Sequence, residues 1–301
     1  MNCRLFLWII LASCPAICQE CSAYVVIDPF DAVSHIGIDG LQVADFEAKM
    51  DNALLPIANA RQAFNSRVLI MVQANGSAED PEVMKLVHTV AELARQASPL
   101  HPVAFGIYGE RVVFTKGFIG NWDERRPAID GVLQQINSIG KYGAVFDALH
   151  EGLSLFGQPE PGDTVVLVGD GHDVKSHKND RDLEKEFAEH HARLLATVFT
   201  REVAEIHDLN RITKIERRMG ETFALHELAS FTGGAYTRGL TPTLVDFAWA
   251  GYLLEVKLPN NMDKLRSWKL QLRGEAAKAH KNAVIYQPFK LAPCSAMTAS
   301  P

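Results

Sequence analysis

Five apolar residues stand in succession at Val68-Leu69-Ile70-Met71-Val72, and Gln73-Ala74-Asn75-Gly76-Ser77 follows at once. An apolar run of this length, closed by a polar turn containing glycine, reads as a strand buried on both faces. A patterned helix follows, about Asp80 to Gln96. Strand, turn and helix open a βαβ unit, and the architecture that covers a strand on both faces is a parallel sheet between helix layers. The stretch Arg67–Ser77 therefore predicts an α/β fold with a doubly wound, mostly parallel sheet. Its turn sits at the strand's carboxyl end, where open α/β sheets bind their ligands.

The pattern repeats along the chain. His101–Tyr108 and Arg111–Thr115 read as strands joined through Gly109-Glu110. Helices are predicted from about Glu124 to Ser138, with Ile129, Val132, Leu133 and Ile136 at helical spacing, and from about Ala144 to Phe156. Thr164–Val168 is a second strong buried strand and ends in Gly169-Asp170-Gly171-His172-Asp173. A charged helix is expected over Asp180–Leu195 and a strand over Ala196–Thr200. Another helix, near Thr222–Phe231, is expected to end at Gly233-Gly234. Before this part, Tyr24–Ile27 and Leu54–Phe64 are strand candidates. After it, Tyr252–Leu258, Trp268–Leu272 and Ala283–Tyr286 are three more, the last two separated by a polar stretch around Ala276–Asn282. These flanks are expected to form a β appendage that pairs with itself across the two ends of the chain.

The N-terminus differs in kind. Arg4 precedes the apolar run Leu5–Ala12, and small residues follow, including Ala16 and Cys18. That is the pattern of a secretory signal peptide over 1–18, too short for a comfortable membrane span. The competing readings are a membrane anchor and, from Leu11-Ala12-Ser13-Cys14, a lipoprotein signal with Cys14 as the lipidated residue. Export leaves two of the five cysteines, Cys21 and Cys294, one near each end of the mature chain. A disulfide between them is permitted in an exported protein. The net charge of −6 and the lack of a long basic run argue against a nucleic-acid surface.

Strand–QANGS, then Tyr142-Gly143-Ala144-Val145-Phe146-Asp147-Ala148-Leu149, then Val165-Val166-Leu167-Val168-Gly169-Asp170-Gly171 resembles the von Willebrand factor type A (VWA) domain. That family reads strand–DxSxS, a Gly-Thr-x-x-x-Asp-Ala-Leu helix start, and strand–TDG. Gly40–Glu47, Leu228–Gly234, Tyr252-Leu253-Leu254 and Tyr286-Gln287-Pro288 are similar to segments of the VWA-related proteins abundant in Acidobacteria. The resemblance implies a Rossmann-like VWA domain over 67–250, between a β-rich lead-in over 23–66 and a C-terminal β extension over 251–293.

In metal-binding members of the family, an Asp, two hydroxyl residues, a Thr and a second Asp surround a divalent ion. The matching positions here are Gln73, Asn75, Ser77, Gly143 and Asp170, and only Ser77 and Asp170 keep the family's residue types. One carboxylate is replaced by an amide, and Gly143 brings no hydroxyl. Mg²⁺ prefers hard oxygen ligands with one or more carboxylates, so these changes weaken a site for it or for any similar divalent cation. Asn75, Gly76 and Ser77 equally suit a structural turn that caps the next helix.

Other constellations are less specific. Asp170, His172, Asp173 and His177 have the composition of a transition-metal site, but equally that of a polar loop after a buried strand. His190 and His191 are adjacent on a helix and face different ways. Ser77, His172 and Asp170 supply the residue types of a hydrolase, without the Gly-x-Ser-x-Gly setting of a nucleophile elbow. No GxGxxG or Walker motif occurs, and no nucleotide or other small-molecule cofactor is implied. The reading that results is an exported, non-catalytic protein–protein interaction or adhesion module, metal-independent, with an unknown protein partner. Its contact loops are Gln73–Ser77, Gly140–Gly143 and Asp170–Asp173. A metal-dependent binder using Ser77, Asn75 and Asp170, and an extracytoplasmic hydrolase, stand as the alternatives.

Overall fold

All six residues of Val68–Gln73 are buried, the condition that an unbroken apolar strand requires. The computed structural model describes residues 21–34, 36–63, 66–75, 80–199, 224–238, 248–249 and 251–293. The expected signal peptide lies outside the described residues, as do Cys14, Ser77 and Cys294. In chain order the strands are β1 (Cys21–Asp31), β2 (Phe46–Met50), β3 (Ala53–Leu55), β4 (Ile57–Gln62), β5 (Val68–Gln73), β6 (Val103–Tyr108), β7 (Val112–Phe114), β8 (Thr164–Gly169), β9 (Arg193–Val198), β10 (Tyr236–Arg238), β11 (Tyr252–Leu258), β12 (Arg266–Ser267), β13 (Lys269–Leu272), β14 (Ala283–Tyr286) and β15 (Lys290–Leu291). The helices are α1 (Pro81–Gln96), α2 (Trp122–Leu133), α3 (Val145–Phe156), α4 (Asp180–His190), α5 (helical residues 224–231) and α6 (Gly274–Ala279).

The central sheet has the order β10-β9-β8-β5-β6-β7, parallel throughout except for the edge hairpin β6–β7. Side chains alternate along β5 and serve two cores. Val68, Ile70 and Val72 pack with Val83, Val87 and Val90 of α1 and with Ile129 and Val132 of α2. Leu69 and Met71 pack on the other face with α3, α4 and α5 through Leu149, Leu153, Phe187 and Leu228. Gly152 lets α3 approach β5 closely, because a Cβ there would stand 2.8 Å from Leu69 Cδ2.

The flanking segments build a second, β-rich body. β1 and β11 pair antiparallel from Cys21↔Leu258 to Ile27↔Tyr252, within the order β14-β1-β11-β4. A second sheet, β13-β2-β3, lies against it over a third core that includes Phe46, Met50, Tyr252, Leu254 and Trp268. Each layer thus draws strands from both ends of the chain, with the α/β part between them in sequence. Cys21, the first residue of β1, is disulfide-bonded.

Four local expectations need correction. Leu54–Phe64 is not one strand. Pro56 separates β3 from β4, and the two join different sheets, as proline's missing N–H favours. The charged helix stops at His190, and His191 turns with φ 50°, so Arg193–Val198 is strand. Arg193 reads as a continuation of the charged helix, but it is buried. The stretch Ala276–Asn282 is partly helical, within α6. The cap of α1 is Asp80, whose carboxylate accepts from Glu82 N at 3.0 Å, not Asn75.

Candidate functional site

β5 and β8 lie side by side in the middle of the sheet, and the chain leaves them towards opposite helix layers, from β5 to α1 and from β8 to α4. A reversal of this kind opens a crevice at the strands' carboxyl ends. Four of the five positions marked by the sequence meet there: Gln73 and Asn75 after β5, Gly143 before α3, and Asp170 after β8. The fifth, Ser77, lies outside the described residues.

Gln73 organises the crevice. It is 1% exposed, and its Oε1 accepts the Asp170 N–H at 2.6 Å. That bond fixes the amide's orientation, since a flipped amide would set one donor against another. Nε2 then lies on the Gly143 side, where a Cβ would stand 3.4 Å from it and only 2.5 Å from the His172 carbonyl oxygen. A threonine at 143 is therefore excluded in this loop arrangement. Asn75 Nδ2 donates to the Lys141 carbonyl at 3.1 Å and ties the β5 loop to the Gly140–Gly143 loop.

Tyr108 ends β6 directly beside Gln73 in the parallel register and is fully buried. Burial pushes its phenol well above the ordinary value, and the charges of Asp170 and Asp173 add to the effect. Gly169 must be glycine here, because a Cβ would stand 2.3 Å from the Tyr108 hydroxyl and 2.5 Å from Gln73 Oε1. Gln73 Nε2, Asn75 Oδ1 and the Tyr108 hydroxyl are buried polar atoms with no hydrogen-bond partner among the described residues. Sequence reasoning missed Tyr108. The available signal was a hydroxyl aromatic closing the strand next to the central one.

The loop after β8 is braced by acids. Ala144 gives α3 no side-chain cap; Asp173 reaches over instead and accepts from Phe146 N at 3.2 Å and Ser176 N at 3.0 Å. Ser176 Oγ accepts from Asp147 N at 3.0 Å. Asp147 in turn accepts from Lys178 N at 2.9 Å and from His177 N at 3.0 Å. Burial raises the Asp147 pKa, but donation from Lys178 and His177 outweighs it and holds the carboxyl below its usual value. Glu110 Oε1 likewise accepts from Lys141 N at 3.1 Å and Tyr142 N at 3.3 Å. Lys175 lies over the exposed Tyr142 ring at 5.2 Å, a cation–π contact that joins two of the loops at the surface.

These commitments bear on a metal. The four described positions offer a divalent ion one carboxylate and no hydroxyl. Gln73 has turned its carbonyl oxygen to a main-chain amide, and Asp170 Oδ1 accepts the His172 N–H at 2.8 Å. This donor set does not fit the octahedral oxygen shell of Mg²⁺. Among the described residues, no group of three or more His, Cys, Asp and Glu side chains is arranged to hold a metal ion.

A mostly parallel six-stranded sheet of this order, with an antiparallel edge hairpin and the marked loops at the carboxyl ends of its two central strands, is the arrangement that the VWA resemblance implies. No family model matches the sequence, and no curated protein matches it. Solved structures similar in fold include a von Willebrand factor type A protein from Catenulispora acidiphila (10% identity, TM-score 0.44, covering 93% of this chain and 76% of that one). BatB from Bacteroides thetaiotaomicron matches at 12% identity and TM-score 0.44, over 60% of this chain and 94% of that one. Proximal thread matrix protein 1 from the mussel byssus, solved with a zinc-occupied MIDAS motif, matches at 16% identity and TM-score 0.47, over 65% of this chain and 48% of that one.

Proposed function

We propose that this protein is an exported, non-catalytic interaction module that binds a protein partner through the loops at the carboxyl end of its sheet, without a metal ion. The observation that carries the reading is the Gln73 carboxamide. It stands where the metal-binding pattern has its first carboxylate, and it links the β5 and β8 loops through the Asp170 amide at 2.6 Å. A protein hydrogen bond thus supplies a cross-link between loops that an ion supplies in metal-binding relatives. The exposed rim, with Tyr142 at 50% exposure beside Lys175, offers an aromatic and a cation for contact.

The test is the thermal melt of the exported protein after EDTA treatment, with and without millimolar Mg²⁺, Mn²⁺ or Ca²⁺. The expected result is an unchanged midpoint with every ion. Binding at about a hundred times Kd would add roughly 2.7 kcal/mol and move the midpoint by a few degrees. A saturable shift of that size, lost in Asp170→Ala, would overturn metal independence.

Export also motivates the proposal that Cys294 is the disulfide partner of Cys21. Peptide mapping of the exported protein without reductant is expected to recover the two cysteines in one linked fragment. Recovery of Cys294 as a free thiol would reject the pairing.

A further inference from the structure

The second candidate binding surface lies in the β-rich body, far along the chain from the loops discussed above. β13 and β14 are consecutive strands joined through α6, and consecutive strands commonly pair. These two do not: β13 ends the order β13-β2-β3, and β14 ends the order β14-β1-β11-β4. They are fastened near one end, where Gln287 Nε2 donates to the Trp268 carbonyl at 3.3 Å. Beyond that clasp they flank an open groove of about 490 Å³.

The groove is walled by main chain as well as side chains. Every residue of β13, from Lys269 to Leu272, lines it. Arg273 N donates to Asp45 O at 2.8 Å, towards the β2 side, so by antiparallel alternation the N–H and C=O of Leu272 and Leu270 point away from β2. On the opposite wall, Ala283, Ile285 and Gln287 line the groove. Ile285 faces Pro29, which has no N–H to give. The rungs between β1 and β14 therefore fall at Tyr286 and Val284, and the main-chain groups of Ile285 point outward. Among the described residues, no strand pairs with either outward edge.

Charge selects the occupant. Lys269, His280 and Lys281 line the groove, and among the described residues no Asp or Glu does. From Lys264 to Lys290 the sequence holds seven Lys and Arg against the single acid Glu275, in a chain whose net charge is −6. Lysines on a short edge discourage pairing with neutral or basic strands, but they attract an acidic one.

We propose that this groove binds an extended acidic segment of another protein, which adds as a strand to the outer edge of β13. Main-chain hydrogen bonds at Leu270 and Leu272 would give affinity, and Lys269 and Lys281 the preference for acidic side chains.

The probe is a short acetylated peptide alternating valine and glutamate, titrated against the full exported chain. Two controls accompany it: lysine in place of glutamate, and proline at the centre. The valine–glutamate peptide is expected to bind and to slow hydrogen exchange at the Leu270 and Leu272 amides. The controls are expected not to bind. The exposed double substitution Lys269→Glu/Lys281→Glu, checked for an unchanged melt, is expected to weaken binding by about tenfold or more. The proposal is overturned if the acidic peptide does not bind, if it binds without protecting those amides, or if the proline control binds equally well. It is also overturned if a second copy of this chain protects the same amides without peptide. The sheet-end loops take no part in this experiment, so its failure leaves the first proposal standing, and the converse holds.

Discussion

Arg125→Ala is expected to cost about 4 kcal/mol or more of unfolding free energy, a large share of the roughly 5–15 kcal/mol that a domain has to lose. Arg125 is 1% exposed, yet its described partners are all main-chain carbonyls. Its Nε donates to Ile119 O at 3.1 Å, Nη1 to Ala97 O at 2.5 Å, and Nη2 to His101 O and Gly120 O at 3.0 Å each. Ala97 is the C-cap of α1, where the helix presents carbonyls without intrahelical partners and the negative end of its dipole. One guanidinium thus satisfies the end of α1, the turn that leads into β6 and the segment before α2. Truncation leaves several buried acceptors unmade, each worth about 1–3 kcal/mol when unsatisfied, together with a void. Arg125→Lys is expected to recover only a minor part, because an ammonium has three donors and no fork. Urea denaturation followed by circular dichroism measures both variants. A loss below about 1 kcal/mol for the alanine variant would show that the carbonyls find other partners.

Arg125 also marks the limit of what the sequence discloses. The sheet was legible: Val68–Val72 and Thr164–Val168 are unbroken apolar runs, and a strand buried on both faces has few other ways to look. The helices against it were legible through spacing, as with Ile129 and Val132. Buried charge was not legible, because Arg125 and Arg193 sit in charge-rich surroundings that read as solvated helix. Only the tertiary structure shows that one covers carbonyls and the other bonds to Asp28. At the site, the positions Gln73, Asn75, Gly143 and Asp170 follow from motif order alone, whereas the Gln73–Asp170 bond depends on the amide's rotamer. Tyr108 was overlooked for a related reason: a hydroxyl aromatic closing a strand can be read locally, but its place beside Gln73 comes from the register of β6 against β5. The caps were misjudged because competing candidates lay within a few residues of one another. Asn75, Ser77 and Asp80 all suit a helix start, and Pro81 at the first helical position favours Asp80.

The second large effect is expected at the junction of the two bodies. Arg193 at the start of β9 and Asp28 on β1 form an ion pair whose side chains are 3% and 7% exposed. Arg193 also donates from Nε to Thr164 Oγ1 at 3.0 Å and from Nη2 to the Ala248 carbonyl at 3.1 Å. Removing one partner of such a pair strands the other charge away from water, at about 3–5 kcal/mol. Arg193→Met is therefore expected to lose an amount in that range, and Asp28→Asn somewhat less, because its amide retains an acceptor for the guanidinium. The double variant Asp28→Asn/Arg193→Met should lose clearly less than the sum, since neither buried charge remains. The pH dependence separates this account from simple loss of packing. Burial raises the Asp28 pKa, and Arg193 opposes that rise. Without the arginine, burial acts alone and the folded-state pKa climbs further. A folded pKa above the unfolded value contributes stability that is fully present below the unfolded pKa and is lost as pH rises through the folded one. The deficit of Arg193→Met relative to the wild type should thus be largest near neutral pH and shrink towards about pH 4, where carboxyls protonate in the unfolded chain. The double variant, with no carboxyl at position 28, should show no such recovery. A deficit of equal size at both pH values would mean that the lost arginine contacts with Thr164 and Ala248, and not the stranded Asp28 charge, are what the junction depends on.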